Sequence, residues 1–217
     1  MKMKYVKVSL TLMLFALLGQ HLAMAKEASP IDKSSDLAVA LNTLTKVSGF
    51  SCLFTQEISY ADGGGRKYAG ELAVLRPGKF RWKYTQPYEQ LYVSNGQGIW
   101  LYEPDLMQVQ KLQDLGEVDP VVIQLLDGRV SLDDVWILDK EALEDDESSW
   151  FVRVGQAENS VEIWLGVKNK ALVWVESRDV LHNRNRLVLQ AMSKKAPKAS
   201  IFEFVAPEGV DVIGDGL

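Results

Sequence analysis

The feature that most limits what this chain can become is a change of hydrophobic period. Up to residue 48 apolar residues recur at helical spacing. Beyond it they recur at every second position, in short runs cut by turn formers. Period two belongs to strands that turn one face to a core. Residues 79–85 are the clearest case: Phe80, Trp82 and Tyr84 share one face, and Lys79, Arg81 and Lys83 share the other. The same alternation runs through Val161, Ile163, Leu165 and Val167, and through Leu187, Leu189 and Ala191. Shorter strand-like stretches fall near 50–60, 68–75, 90–94, 98–103, 106–112, 134–139, 150–155, 171–178 and 200–205. Asp62 with Gly63–Gly65, Pro77 with Gly78, Asn95 with Gly96, and Asn183 mark the turns between them. Asn-Gly between alternating runs is a strong hairpin signal. Roughly ten or eleven short strands predict one large antiparallel sheet, which must curl, close or be covered. Ile99, Trp100, Leu101 and Tyr102 place bulk on both faces of one strand, so the sheet is expected to carry a second apolar surface beside its core.

Two helices interrupt this pattern. Residues 34–48 put Leu37, Leu41, Leu44 and Val47 on one stripe, with Ser34, Ser35 and Asp36 as N-cap candidates and Gly49 as the stop. Residues 119–128 read as a short helix: Asp119 suits the N-cap, Pro120 the first turn and Gly128 the exit. Val118, Val121, Val122 and Leu125 form its stripe, and Ile123 and Leu126 widen it almost all round. So short and apolar a helix must lie against a greasy surface.

The N-terminus carries Lys2, Lys4 and Lys7, then an apolar run over residues 8–18, then Ala23, Met24 and Ala25. A basic start, a short apolar middle and a small-residue exit predict a secretory signal peptide over 1–25, cleaved near Ala25. The run is far shorter than the ~20 residues of a spanning helix. The expected mature protein is a single exported domain over 26–217, which the resemblance described below places in the periplasm. It is more acidic than the formal net charge of −5 for all 217 residues, because residues 1–25 hold lysines and no acids. That balance gives no reason to expect a nucleic-acid partner.

Candidates for chemistry are few. Cys52 is the only cysteine, and it lies in an apolar stretch expected to bury it. His182 is the only histidine outside the signal segment. Asp133 with Asp134 and Asp145 with Asp146 are adjacent acids, which on a strand point to opposite faces and make poor acid/base pairs. The acidic run over 141–147 reads as a solvated loop. No nucleophile elbow, zinc helix or phosphate loop occurs. The expectation is a protein that is not an enzyme and holds no metal or cofactor.

An ordered set of short motifs does carry a signal. After the leading helix come Phe50, then Phe54, Thr55 and Gln56, then Gly70 with Leu72, Arg76 with Pro77, and Phe80 with Trp82 and Tyr84. Gln86 with Pro87, Val93 to Gly96, Trp100 to Pro104, Gln108 with Val109, Phe202 to Phe204 and Pro207 to Val210 follow. In this order the chain resembles the LolA family of periplasmic outer-membrane lipoprotein carriers. The resemblance implies an incomplete, unclosed antiparallel β-barrel of about eleven strands under a helical lid, which agrees with the strand pattern. It implies acylated lipoproteins as cargo, an inner-membrane ATP-driven releasing complex as donor and the outer-membrane lipoprotein acceptor LolB as recipient. It also implies a monomer. By the same resemblance Arg76 bonds to the lid when the cavity is empty, and Phe80 tunes how tightly lipid is handled. The expected lipid-contacting residues are Phe80, Trp82, Tyr84, Ile123 and Leu126, with Arg76 as the lid latch. An alternative on the same half-barrel is a periplasmic sensor of lipids or mislocalised lipoproteins.

Overall fold

The computed structural model describes residues 27–113, 120–155 and 160–214. The expected signal segment and the Asp119 cap lie outside the described residues. In chain order the elements are β1 (Ser29–Pro30), helix α1 (Asp36–Lys46), β2 (Gly49–Ser59), β3 (Gly65–Leu75), β4 (Lys79–Gln86), β5 (Gln90–Asn95), β6 (Ile99–Glu103) and β7 (Gln108–Leu112). Helix α2 (Pro120–Leu126) follows, then β8 (Val135–Ala142), β9 (Glu147–Val154), β10 (Val161–Lys168), β11 (Ala171–Arg178), β12 (Arg184–Ser193) and β13 (Asp211–Ile213).

All these strands join one sheet, in the order β1-β8-β9-β10-β11-β12-β2-β3-β4-β5-β6-β7-β13. Two meanders, β2–β7 and β8–β12, are seamed along β2 and β12. The strand count exceeds the sequence expectation by the two edge strands, β1 and β13. Both are too short to show a period, and β13 runs parallel to β7 rather than antiparallel. Neither edge pairs with the other, so the barrel is unclosed.

The inner face carries Phe50, Cys52, Phe54, Leu72, Val74, Trp82, Tyr84, Ile163, Leu165, Val175, Leu187 and Leu189, all buried. These merge with the buried faces of α1 and α2 into one apolar core. α1 lies over β10 and β11. Ser35 caps it by accepting from the Ala38 N–H at 3.2 Å. The helix ends at Val47, before Gly49, which corrects the expectation that Gly49 stops it. Gly49 instead begins β2 at a close approach: a Cβ there would run into the Val74 carbonyl.

The stretch over 200–205 is not a strand. Residues Ala199–Phe202 form a 3-10 turn that lays Phe202 and Phe204 on the outer face. Phe202, Val93 and Val109 are buried there, and the Phe204 ring lies 6.4 Å from Trp100 and 6.2 Å from Tyr102. This is the second apolar surface implied by the bulky residues of β6, and the C-terminal segment covers it. The acidic run over 141–147 is solvated as expected, with residues 141–146 exposed, and it forms the turn of the β8–β9 hairpin. Asp145 and Asp146 lie there at positive φ, and Glu147 accepts from the Trp174 indole at 2.6 Å. Asp133 and Asp134 lie on a 3-10 turn, Leu132–Asp134, rather than on a strand, and Asp133 pairs with Lys33.

Gly70 shows how closely the inner face is fitted. A Cβ on it would collide with the Lys83 carbonyl and come within 2.9 Å of the Phe54 ring. Gly70→Ala is therefore expected to cost about 1–3 kcal/mol through overpacking. For a domain of this size that is roughly 2–4 °C of melting temperature per kcal/mol, readable by calorimetry.

Candidate functional site

Arg76 directly follows β3, and its side chain passes under both helices. Nη1 donates to the carbonyls of Leu44 and Val47, each at 2.5 Å, at the C-terminus of α1. Nη2 donates to the Leu126 carbonyl at 2.6 Å, at the C-terminus of α2. Carbonyls at helix C-termini have no partner within the helix and carry the negative end of the helix dipole, so a cation suits both. A planar guanidinium spreads its donors over separate carbonyls, which a lysine cannot do. The Phe50 ring centre is 6.0 Å from the guanidinium carbon. Burial pulls the Arg76 guanidinium below its ordinary value, and Asp127 acts in the opposite direction.

The α2 terminus is shaped to meet this group. Gly128 lies at φ +71°, its N–H donates to Leu125, and the Arg129 N–H donates to Gln124. This is the Schellman arrangement, which requires a left-handed residue at that point. A Cβ on Gly128 would also sit 2.9 Å from the guanidinium. Gly128 is thus needed both for the turn and for the approach of Arg76. The Asp127 carboxylate accepts from the Gly78 N–H at 3.1 Å and pairs with Arg129 at 2.9 Å, which ties α2 to the β3–β4 turn.

Beneath α2 is a cavity of about 180 Å³. Phe80, Trp82, Ile123 and Leu126 line it, with Leu72, Val74 and Ile99, and so do Lys79, Asp127 and Arg129. Four of the five residues expected to contact lipid therefore meet in one mainly apolar space. Tyr84 does not line it. It lies one step along the same face, with its ring 5.1 Å from Phe54 and 6.3 Å from Trp82. Its hydroxyl donates to the buried Gln56 at 2.8 Å. Trp82 keeps its indole nitrogen buried with no partner among the described residues. The cavity falls below the ~300 Å³ at which small-molecule pockets begin.

The outer face holds a cluster that the strand pattern did not disclose. Glu176 is fully buried between Arg178, at 2.9 Å, and Arg186, at 2.7 Å. Those guanidiniums lie over Trp164 and Trp174, and Trp164 stacks on Phe151 at 4.2 Å. Its members stand on four different strands, so no run of sequence announces it. Among the described residues, no group of three or more His, Cys, Asp or Glu could hold a metal ion. Burial pushes the Cys52 thiol up to about 12, which leaves no thiolate for nucleophilic work near neutrality.

The family model described as "Outer membrane lipoprotein carrier protein LolA" matches residues 45–205. An outer-membrane lipoprotein carrier protein of Methylibium petroleiphilum is 36% identical over 165 residues, covering 74% of this chain and 80% of that one. One from Chromobacterium violaceum is 33% identical over 155 residues, covering 70% and 74%. Among solved structures, an uncharacterized conserved protein from Thermus thermophilus aligns with a TM-score of 0.51 at 11% identity. It covers 82% of this chain and 96% of that one, and it shares the fold.

Two outcomes follow from this geometry. Arg76→Lys should speed amide exchange at Asp127, Gly128 and Arg129 by about tenfold or more, since losing ~1.4 kcal/mol of closure is a factor of ten. Hydrogen exchange by NMR reads this directly. Cys52 should resist Ellman's reagent at pH 8 in the folded protein and react fully in guanidinium, because only unfolding exposes it and restores its ordinary acidity.

Proposed function

This chain belongs to the outer-membrane lipoprotein carrier (LolA) family, and on that premise we propose that it shuttles acylated lipoproteins across the periplasm. It takes them from an ATP-driven complex of the inner membrane and passes them to the outer-membrane acceptor LolB. It acts as a monomeric carrier without catalysis, cofactor or metal. The observation that carries this reading is the apolar cavity under α2, closed by a helix that Arg76 holds only through backbone carbonyls.

The physical requirement is severe. Each buried methylene contributes roughly 0.8 kcal/mol, so the acyl chains of a lipoprotein do not leave a bilayer for water unaided. The carrier must offer an equivalent surface and then surrender it. In the structure described, α2 provides that surface to the sheet: Val122, Ile123, Leu125 and Leu126 lie against the inner face. Cargo entering beneath α2 replaces those contacts with its own chains, so the net gain on loading is the difference between two apolar fillings. The polar latch adds hydrogen bonds from a charged donor, each about 1.5–3 kcal/mol when well buried and less here, where Arg76 is half-buried. Opening is then costly enough to keep the empty cavity covered, and small beside the energy of the acyl chains.

Carriage is preferred to the sensing alternative because the curated relatives aligned over most of the chain are named as carriers. The direct test incubates spheroplasts with the purified mature protein and looks for soluble 1:1 complexes with lipoproteins. Absence of any complex under energised conditions would overturn the reading. Phe80→Glu should lower the yield of complex at least about tenfold, since it places a charge in the apolar cavity. Arg76→Leu should alter transfer to the acceptor while leaving the far-ultraviolet circular dichroism unchanged. Unaltered release and delivery would remove Arg76 from the mechanism.

A further inference from the structure

Among the described residues, the buried polar side chains are Gln56, Ser94 and Glu176. Gln56 belongs to a polar row with Tyr84 and Asn185, and Glu176 is held by two arginines. Ser94 differs from both, because its partners are the backbones of two turns. By register it lies between Phe80 of β4 and Ile99 of β6, and both of these line the cavity under α2. A buried hydroxyl is stable among such side chains only through the bonds it makes.

Those bonds form a chain. Ser94 Oγ donates to the Gly78 carbonyl at 2.8 Å, in the β3–β4 turn, and accepts from the Gly96 N–H at 3.2 Å, in the β5–β6 turn. The Gly78 N–H in turn donates to the Asp127 carboxylate at 3.1 Å, at the end of α2. The two turns meet through their glycines. Gly78 and Gly96 both have positive φ, and a Cβ on Gly78 would stand 3.6 Å from the Gly96 Cα. The β5–β6 turn is itself braced, since Asn95 Oδ1 accepts from the Gln97 and Gly98 N–H groups. Gly78 is therefore gripped through its carbonyl from the sheet side, and it presents its N–H to α2 already oriented. Gly78 and Asp127 both line the cavity, so their bond closes one of its sides. It is separate from the Arg76 bond, which goes to the Leu126 carbonyl.

Resting on the carrier reading, we propose that Ser94 is a positioning residue for the lid. It holds the Gly78 N–H where Asp127 accepts from it, and this second tie sets, with Arg76, how readily α2 gives way to an acyl chain. The consequence runs opposite to that of an ordinary binding residue. A contact made only in the covered state lowers the fraction of molecules ready for cargo, and apparent affinity falls by that fraction. Losing the tie therefore weakens closure and tightens acyl binding. The charge of Asp127 is secondary here. Its ionic partner Arg129 is 61% exposed, and exposed ion pairs contribute little.

Hydrogen exchange on the empty protein reads the tie without lipid. Asp127→Ala should speed exchange of the Gly128 and Arg129 amides, which close the α2 terminus, by roughly three- to tenfold. Ser94→Ala should speed the same amides, although Ser94 bonds only to the two turns. The double variant should match Asp127→Ala alone, because Ser94 acts through that bond. Asp127→Asn keeps an oxygen for the Gly78 N–H and should restore wild-type exchange. A synthetic lipopeptide bearing dipalmitoylglyceryl-cysteine should bind Asp127→Ala and Ser94→Ala more tightly than wild type, by the same factor as the exchange, when measured by calorimetry. Additive effects of the two alanine substitutions, unchanged α2 exchange in Ser94→Ala, or acyl binding that is equal or weaker would overturn the proposal while leaving carriage intact. Equal exchange in Asp127→Ala and Asp127→Asn would overturn it without recourse to Ser94→Ala, whatever the stability of that variant. If neither the lipopeptide nor spheroplasts yield a complex with the wild type, the carrier reading falls and this proposal with it.

Discussion

One side chain makes the two helices a single cover. Arg76 stands at the end of β3, and its guanidinium bonds to the last carbonyls of α1 and of α2. Each helix alone is a poor structural unit: α1 is three turns, α2 under two, and neither would persist in water. Each relies on apolar contact with the sheet and on a partner for its terminal carbonyls. Supplying both from one residue couples them. Movement of α2 unmakes a bond at the group that also secures α1, so the cover responds as a unit rather than as two fraying ends. Gly128 belongs to the same device, since any side chain there would stand where the guanidinium lies.

That coupling matters because of what lies beneath. Natural cores fill their space with their own side chains, and here part of that filling comes from a helix of under two turns. On the proposed carrier reading, exchange of α2 for acyl chains would be nearly a like-for-like replacement of hydrocarbon, which would keep both loading and unloading accessible. The Arg76 bonds would then set the balance: they are directional, so a modest displacement of α2 is enough to lose them. A cover held only by apolar area would yield gradually and leave grease exposed to water at intermediate positions.

Much of this was legible in the sequence where local rules decide the outcome. Period two located the strands of both meanders to within a few residues, and turn chemistry placed the Asn95–Gly96 hairpin, where Asn95 accepts from the N–H groups of Gln97 and Gly98. The greasy helix around Val122 declared its need for cover. Features set by distant pairing were not legible. Gly49 looked like a helix stop because glycine serves that purpose so often, whereas its role is a close contact with β3. The Phe202 segment alternates like a strand, but it packs as a plug on the outer face. The Glu176 cluster and the polar row through Asn185 exist only once β2, β11 and β12 are in register. Arg76 was singled out by resemblance. Its hold on α1, through Leu44 and Val47, is a consequence of how β3 meets both helices.

The outer face explains how the inner one can be so specialised. A strand that devotes one face to a fillable cavity would ordinarily oppose it with solvated side chains, as β4 does with Lys79, Arg81 and Lys83. β6 and β7 cannot, since Trp100, Tyr102 and Val109 face outward. The C-terminal segment resolves this by laying Phe202 and Phe204 over them, and β13 then pairs with the free edge of β7. On the other meander the same task falls to the Arg178–Glu176–Arg186 group and its tryptophans. Rigidity is therefore built into the outside of the sheet. With the wall braced from outside, the proposed carrier reading makes α2 the part that would move, so that the energy of lipid entry would be directed into the Arg76 latch rather than dispersed through the sheet.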